Sequence, residues 1–279
     1  MKKKRKKVIY FSASAIAVFL ISLALSYGTG FSDPVSGFFK NIYPQVIVGR
    51  GMISISYWNK GHELAEKLDP NESREKVSDQ LIKVKQQEQL LAITKVSYLN
   101  PIFDEELLYY KTGKQKEFQN IINKYFNFDE ELFREYVAKP EVYDTLLRIK
   151  YNSDFSANEI AYAKAQSILM QLSNGGNFEQ LAKTESGDLV SGQLGGDLGF
   201  VTRGQLLPEL EKAILNAPLG QTLQYVVVSR LGYHILYPVE IADQDGQKVW
   251  HIKHILVQTS GYDNWLRSKL NKFWVWRIK

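Results

Sequence analysis

The chemistry open to this chain is bounded first by what its reactive residues are. Four histidines and no cysteine occur in 279 residues. Without cysteine there is no thiolate nucleophile, no disulfide framework and no lipid-attachment cysteine. HExxH is absent, and His251 and His254 stand three apart in a segment that reads as a strand. That spacing sends them to opposite faces and makes a poor chelate, so no metal is expected. The glycine-rich stretch SGDLVSGQLGGDLGF (residues 186–200) lacks the GxxxxGK[ST] spacing of a phosphate loop. No strand-glycine-helix unit of the dinucleotide type surrounds it, so no cofactor is expected either. Asp197, inside that stretch, suits an Asx turn. The motifs therefore give no sign of metal or cofactor chemistry.

The elements that must position such residues begin after an unusual start. Formal net charge is +5, and residues 2–7 (KKKRKK) supply six positive charges, so subtracting them leaves −1 for the rest. The basic character belongs to the tail, which argues against a nucleic-acid-binding body. Val8 to Tyr27 is a run of 20 residues without a charge. At about 1.5 Å per residue it is long enough to cross a hydrocarbon core. It is expected to be a transmembrane anchor, with the basic tail holding the N-terminus in the cytoplasm and the body outside. A cleaved signal peptide, with Ala24 and Ser26 as a small-x-small site, is the rival reading.

Residues 28–44 read as a spacer. Val46-Ile47-Val48 and Met52-Ile53-Ser54-Ile55 read as two strands around Gly49-Arg50-Gly51. Helical patterns follow at 63–68, from Asn71 with the stripe Val77, Leu81, Val84 and Leu91, at 104–110, at 116–126 and at 129–137. Residues 45–142 are thus a mostly helical domain rich in aromatics: Phe103, Tyr109, Tyr110, Phe118, Tyr125, Phe126, Phe133 and Tyr136. These form either its core or a surface for unfolded chains. Next come a strand at Leu146 to Tyr151, a helix at 157–172, and Asn177 capping 178–183. The glycine-rich stretch leads to a helix near 207–215 and strands at 222–229 and 233–241. That order is a compact α+β layout.

At this point the motifs resemble a family. NFEQLA (177–182), SGD (186–188), GGDLGF (195–200), RGQLLPEL (203–210) and GYHI (232–235) are similar, in combination, to the parvulin (PpiC-type) rotamase domain. The resemblance covers roughly residues 143–241 and implies a parvulin/FKBP-like antiparallel sheet with surrounding helices. It implies Leu198, Leu206 and Leu210 as proline-pocket residues, with Phe200 beside them as a further substrate-binding residue. Asp188 falls where the family carries Cys or Asp beside the isomerising bond, and His234 matches the histidine of the last strand. The second histidine that the family carries, in an opening His-Ile-Leu-Val strand, is missing from Leu147-Arg148-Ile149-Lys150-Tyr151.

His251-Ile-Lys-His254-Ile-Leu-Val257 resembles that opening strand but comes last, with 22 residues beyond it. Two accounts stay open. The segment pairs with the 233–241 strand and restores a His234–His254 pair from the C-terminal side, as in a circular permutation. Alternatively, it is a truncated repeat at an edge. The remainder reads as a helix at 262–272 and a strand at 273–278, with Trp265, Trp274 and Trp276 buried against the domain or, alternatively, forming an interfacial membrane belt.

The expected map is a basic tail 1–7, an anchor 8–27, a spacer 28–44, a helical chaperone-like domain 45–142, a rotamase domain 143–241 and an extension 242–279 that completes the sheet. The resemblance implies a membrane-anchored peptidyl-prolyl isomerase acting outside the cytoplasmic membrane on unfolded or proline-containing polypeptides. Asp188, His234 and His254 are its expected catalytic residues. The alternative is a non-catalytic chaperone that binds unfolded chains through a degenerate rotamase domain and the helical domain.

Overall fold

The computed structural model of the chain describes residues 41–94, 120, 123–126, 129–244 and 246–278. Its contacts separate two units, Met1–Gln86 with Phe273–Lys279 and Gln87–Lys272.

In the first unit, β1 (Pro44–Val48) and β2 (Gly51–Ser54) form an antiparallel hairpin. Pro44, Val46 and Val48 point inward in alternation, the period of a half-buried strand. Ser54 ends β2 and starts α1 (Ile55–Leu68), its hydroxyl accepting from the Tyr57 amide at 3.2 Å. Asp69 closes α1, and α2 (Arg74–Ile93) presents Val77, Leu81 and Ile82 to the core.

In the second unit, which begins at Gln87 within α2, α3 (Glu130–Phe133) runs through a π-helical segment (Arg134–Ala138) into α4 (Lys139–Asn152). Then follow α5 (Glu159–Ser173), α6 (Phe178–Glu185), α7 (Leu189–Gln193), β3 (Asp197–Val201), α8 (Pro208–Ile214), β4 (Val227–Ser229), β5 (Gly232–Gln244), β6 (Gln247–Gln258) and α9 (Tyr262–Leu270). The four strands make one antiparallel sheet in the order β3-β6-β5-β4. β6 comes last in sequence yet lies inside the sheet. The C-terminal β7 (Val275–Arg277) belongs to the first unit, where it pairs antiparallel with β1.

The pleat of β5 and β6 gives the sheet two different faces. On one, Tyr233, Ile235, Ile255 and Val257 pack with Ala165, Ile168 and Leu169 of α5 and Ala182 of α6. On the other, Leu236, Ile252 and Trp250 pack with Val201, Leu210, Ile214, Leu223 and Val227. Each fully buried aliphatic side chain contributes about 1.5 to 3 kcal/mol relative to exposure, so both faces stabilise the unit.

Several expectations are corrected. Leu146 to Tyr151 is not a strand but the end of α4. Within six residues its apolar positions mimic a strand. Over a longer window the buried residues Val142, Tyr143, Leu146, Leu147 and Tyr151 follow helical spacing, and Pro140 sits in the first turn, where it is tolerated. The 142/143 point lies inside α4. Of the 222–229 strand only Val227–Ser229 is extended. Trp274 and Trp276 are 57% and 59% exposed instead of buried, because β7 is a three-residue edge strand with every side chain outward.

The membrane anchor is corrected as well. No helix among the described residues is long and apolar enough to cross a membrane. The 8–27 run, with the tail before it, lies outside the described residues. A transmembrane helix, a signal anchor, membrane attachment and a single-pass location are therefore withdrawn. The fold class that stands is an α+β parvulin-like body with a helical N-terminal region. The 104–110 helix, most of the 116–126 helix, and Phe103, Tyr109, Tyr110 and Phe118 also lie outside the described residues. Phe126 and Phe133 are buried against each other edge to face, centroids 5.5 Å apart.

Candidate functional site

The site grows from the register of β5 against β6. His234 lies opposite Leu256, and His254 opposite Leu236, so the two imidazoles are diagonal neighbours on one face. Their Nδ1 atoms are 3.3 Å apart, and the ring planes are inclined by 24°. The other nitrogen of His254, Nε2, is 2.9 Å from Asp188 Oδ2 and 3.0 Å from Ser191 Oγ. The Ser191 hydroxyl donates to the same carboxylate oxygen at 2.7 Å. At the far end, Ser229 Oγ is 2.7 Å from His234 Nε2 and accepts from the Leu231 amide at 3.0 Å.

Burial sets the charge of each group. It pushes His234 down to about 3, with the neighbouring His254 adding to the effect. Burial also lowers His254, against the opposing pull of Asp188. For Asp188 burial acts upward, but hydrogen bonds from Ser191 and His254 outweigh it and hold the carboxyl below its ordinary value. Near neutral pH both imidazoles are thus neutral and the carboxylate is ionised. Neutrality leaves one proton per ring and fixes the order. His254 Nε2–H donates to Asp188, His234 Nδ1–H donates to His254 Nδ1, and the Ser229 hydroxyl donates to His234 Nε2.

Local sequence explains how the loop carrying Asp188 is held. The Gly187 amide donates to the Leu256 carbonyl at 2.6 Å, and Ser186 Oγ accepts from the Leu256 amide at 3.2 Å, lacing this segment onto β6 two residues past His254. Asp188 caps α7, its Oδ1 accepting from Val190 N at 3.1 Å, which leaves Oδ2 for the histidine. Gly196, at φ +84°, returns the chain to the sheet by accepting from the His254 amide at 2.8 Å. A Cβ there would stand 2.4 Å from the His254 carbonyl oxygen, so the second glycine of GGDLGF is a steric requirement.

The apolar half lies on the same face. Leu198, Leu206 and Leu210 join the cluster of Leu236, Ile252 and Val227. Glu211 holds the loop before α8, its Oε1 accepting from Gly204 N at 2.6 Å and from Leu206 N at 3.4 Å. Phe200 stands apart: the register shifts between Asp197 and Phe200, and its ring packs on His251 at 4.9 Å, 43% exposed. Asp197 makes the expected turn by accepting from Gly199 N at 2.8 Å, and it also pairs with His251 Nε2 at 2.8 Å. Asp188 touches His254 and not His234, so His254 is the middle of the row. Sequence reasoning missed Ser191 and Ser229. Ser229 was within reach, because it shares the parity of Val227, which pairs with His234 across β4 and β5.

Comparison with known proteins follows these lines. A model of the PPIC-type PPIase domain matches residues 134–245. The match ends before β6, so His254 is supplied from outside it. Foldase protein PrsA 2 of Bacillus cereus is 31% identical over 132 residues, 43% of this chain and 46% of that protein. Foldase protein PrsA of Caldanaerobacter subterraneus is 28% identical over 188 residues, 64% and 60% of the two chains. Chaperone SurA of Saccharophagus degradans is 39% identical over 85 residues, 30% and 20%. The chain spans about half the length of the first curated relatives it matches. It carries a PPIC-type, parvulin-like domain and, at the level of family, resembles the PrsA and SurA folding factors.

Proposed function

We propose that this protein is a peptidyl-prolyl cis/trans isomerase that assists the folding of exported polypeptides, with Asp188, His254 and His234 as its polar centre and Leu198, Leu206 and Leu210 as its proline holder. The observation that carries the reading is His254 lying 2.9 Å from Asp188 and 3.3 Å from His234 on the face that also bears the leucines. This juxtaposition favours the permuted account of residues 251–257 over a truncated repeat. Phe200 is left out of the proline holder.

The reaction asks for no nucleophile. Rotation about X-Pro meets a barrier of about 18 to 20 kcal/mol set by amide resonance. A catalyst must bind the twisted amide better than the planar one. Resonance places negative charge on the planar carbonyl oxygen, and twisting withdraws it. An ionised carboxylate near that oxygen therefore disfavours the planar form more than the twisted one. The neutral histidine row and Ser191 keep Asp188 ionised and fixed, so its field needs no reorganisation during the turn. The leucines hold the ring and exclude water, which strengthens that field.

The test is prolyl isomerisation of a proline-containing peptide by the full chain, with His254→Ala alongside. Turnover that falls at least tenfold in a folded His254→Ala variant supports the reading. A folded wild type that binds peptide without turnover makes the protein a holdase. Turnover untouched by His254→Ala removes the histidine row from the mechanism.

A further inference from the structure

We propose that the Trp250 indole N–H is a catalytic hydrogen-bond donor to the prolyl nitrogen, engaged only while the X-Pro amide is twisted. This rests on the reading of Leu198, Leu206 and Leu210 as the proline holder. Among the described residues, Trp250 Nε1 is the one buried side-chain nitrogen or oxygen without a hydrogen-bond partner. An indole N–H can only donate, and a donor shut away from water without an acceptor costs stability. A group retained at such a cost asks for a use, and its surroundings suggest one.

Register fixes where the ring lies. On β6, Trp250, Ile252 and His254 alternate onto one face. Trp250 pairs with Val201 of β3 on one side and with Ile241 of β5 on the other. Its side chain, 7% exposed, belongs to the cluster of Leu210, Leu236 and Ile252, against which Leu198 and Leu206 also pack. Every other member of that cluster is aliphatic, so among the described residues the indole supplies its only side-chain N–H or O–H. The exposed Lys248 stands over the indole, its Nζ 5.4 Å from the ring centroid. A cation there draws electron density from the ring and strengthens the N–H as a donor.

The substrate brings a matching acceptor into the leucines. A proline ring carries one heteroatom, its nitrogen. In the planar amide the nitrogen lone pair is delocalised into the carbonyl and accepts nothing, whereas twisting breaks the resonance and returns the pair to nitrogen. The acceptor therefore exists only near the transition state. A hydrogen bond made only there speeds the rotation without tightening ground-state binding. The proton stays on the indole throughout. Asp188 acts on the carbonyl end of the amide, and Trp250 on the nitrogen end.

The experiment replaces Trp250 in the full chain by 3-benzothienylalanine, which keeps the fused ring and exchanges the N–H for sulfur, with Trp250→Phe beside it. Exchange NMR on a proline-containing peptide reads turnover and binding separately, and urea unfolding reads stability. The isostere is expected to keep peptide binding within about twofold and to unfold at the same or a higher urea concentration. Its turnover at saturation should fall about tenfold, the share of one neutral hydrogen bond. Trp250→Phe should lose turnover by a similar factor, although its smaller ring also lowers stability. Turnover kept by the isostere overturns the donor and leaves the isomerase reading standing. An isostere that binds peptide about tenfold more weakly with unchanged turnover at saturation overturns it too, since the N–H would then hold a carbonyl of the planar substrate. A folded wild type without turnover sinks the isomerase reading and the donor with it.

Discussion

The two faces of β5 and β6 are made by alternate residues of the same two strands, yet they are built for different ends. Tyr233, Ile235, Ile255 and Val257 meet packed helices and the neighbouring Val226 and Val228, and the Tyr233 hydroxyl, pushed up to about 12 by burial, donates to the Asn152 carbonyl at 2.8 Å. His234, Leu236, Ile252 and His254 share the other face between an apolar cluster and a row of hydrogen-bonded polar groups. Period two lets a strand hold a fold with one set of side chains and place chemistry with the other. If that separation is real, Ile255→Ala should cost about 2 to 5 kcal/mol in denaturant unfolding. Turnover per folded molecule should stay within about twofold. Loss of turnover in a fully folded variant would mean that the faces are mechanically one.

Within the chemical face, the leucine end should be separable from the histidine end. Leu210 is buried in the cluster, and Leu210→Ala should destabilise by about 2 to 3 kcal/mol through lost contact and a residual cavity. Unlike Ile255→Ala, it should also weaken peptide binding and lower turnover at temperatures where the variant is folded. Unchanged rates in a folded Leu210→Ala variant would remove the cluster from the substrate site.

How much of this was legible depends on which residues carry pattern. SGD carried Asp188, and GGDLGF, RGQLLPEL and GYHI carried the candidate site's leucines and His234, because such motifs are tied to backbone constraints such as the close approach at Gly196. The His254 strand was legible as a strand, and its place beside the 233–241 strand was one of two accounts, since the motif alone does not say whether the chain turns back at 243–246 or leaves the segment at an edge. Leu146 to Tyr151 misled because six residues cannot separate a period of two from one of 3.6, and only the longer reach of α4 decides. Ser191 was missed because an isolated serine has no periodicity and its role appears only once α7 brings it within 3.0 Å of a ring nitrogen, whereas Ser229 could have been found from its parity with Val227 in the hairpin.

Acid should expose the difference between the faces without any substitution. His234 stays neutral in the folded protein down to about 3, whereas in the unfolded chain it takes a proton near its ordinary value of about 6.5. Its depressed value means that stability is complete above about pH 6.5 and is lost as pH falls toward 3. At pH 5 the loss from this residue is on the order of 2 kcal/mol, and buried His254 acts with the same sign. Urea unfolding at pH 7 and pH 5 checks it, and His234→Gln should flatten the difference. An unflattened loss would assign the acid sensitivity to other groups.

The smallest expected effect tests the proton order itself. Ser229→Ala removes the hydroxyl that donates to His234 Nε2 and accepts from Leu231 N. Leaving a buried acceptor unpaired should cost about 1 kcal/mol. His234 then keeps its proton on Nδ1 only through the acceptor at His254 Nδ1, and a proton on Nε2 would leave two Nδ1 lone pairs facing each other 3.3 Å apart. Where the proton moves, the pair must open or His254 must turn over, and in either case the hydrogen bond from His254 to Asp188 loses its support. Nitrogen NMR should show both rings neutral in wild type, with His234 protonated on Nδ1 and His254 on Nε2, and a changed pattern in Ser229→Ala accompanied by a modest fall in turnover. The same tautomers in both proteins would show that the order is set by the Asp188 end alone, which would make the histidine row a one-sided support for the carboxylate.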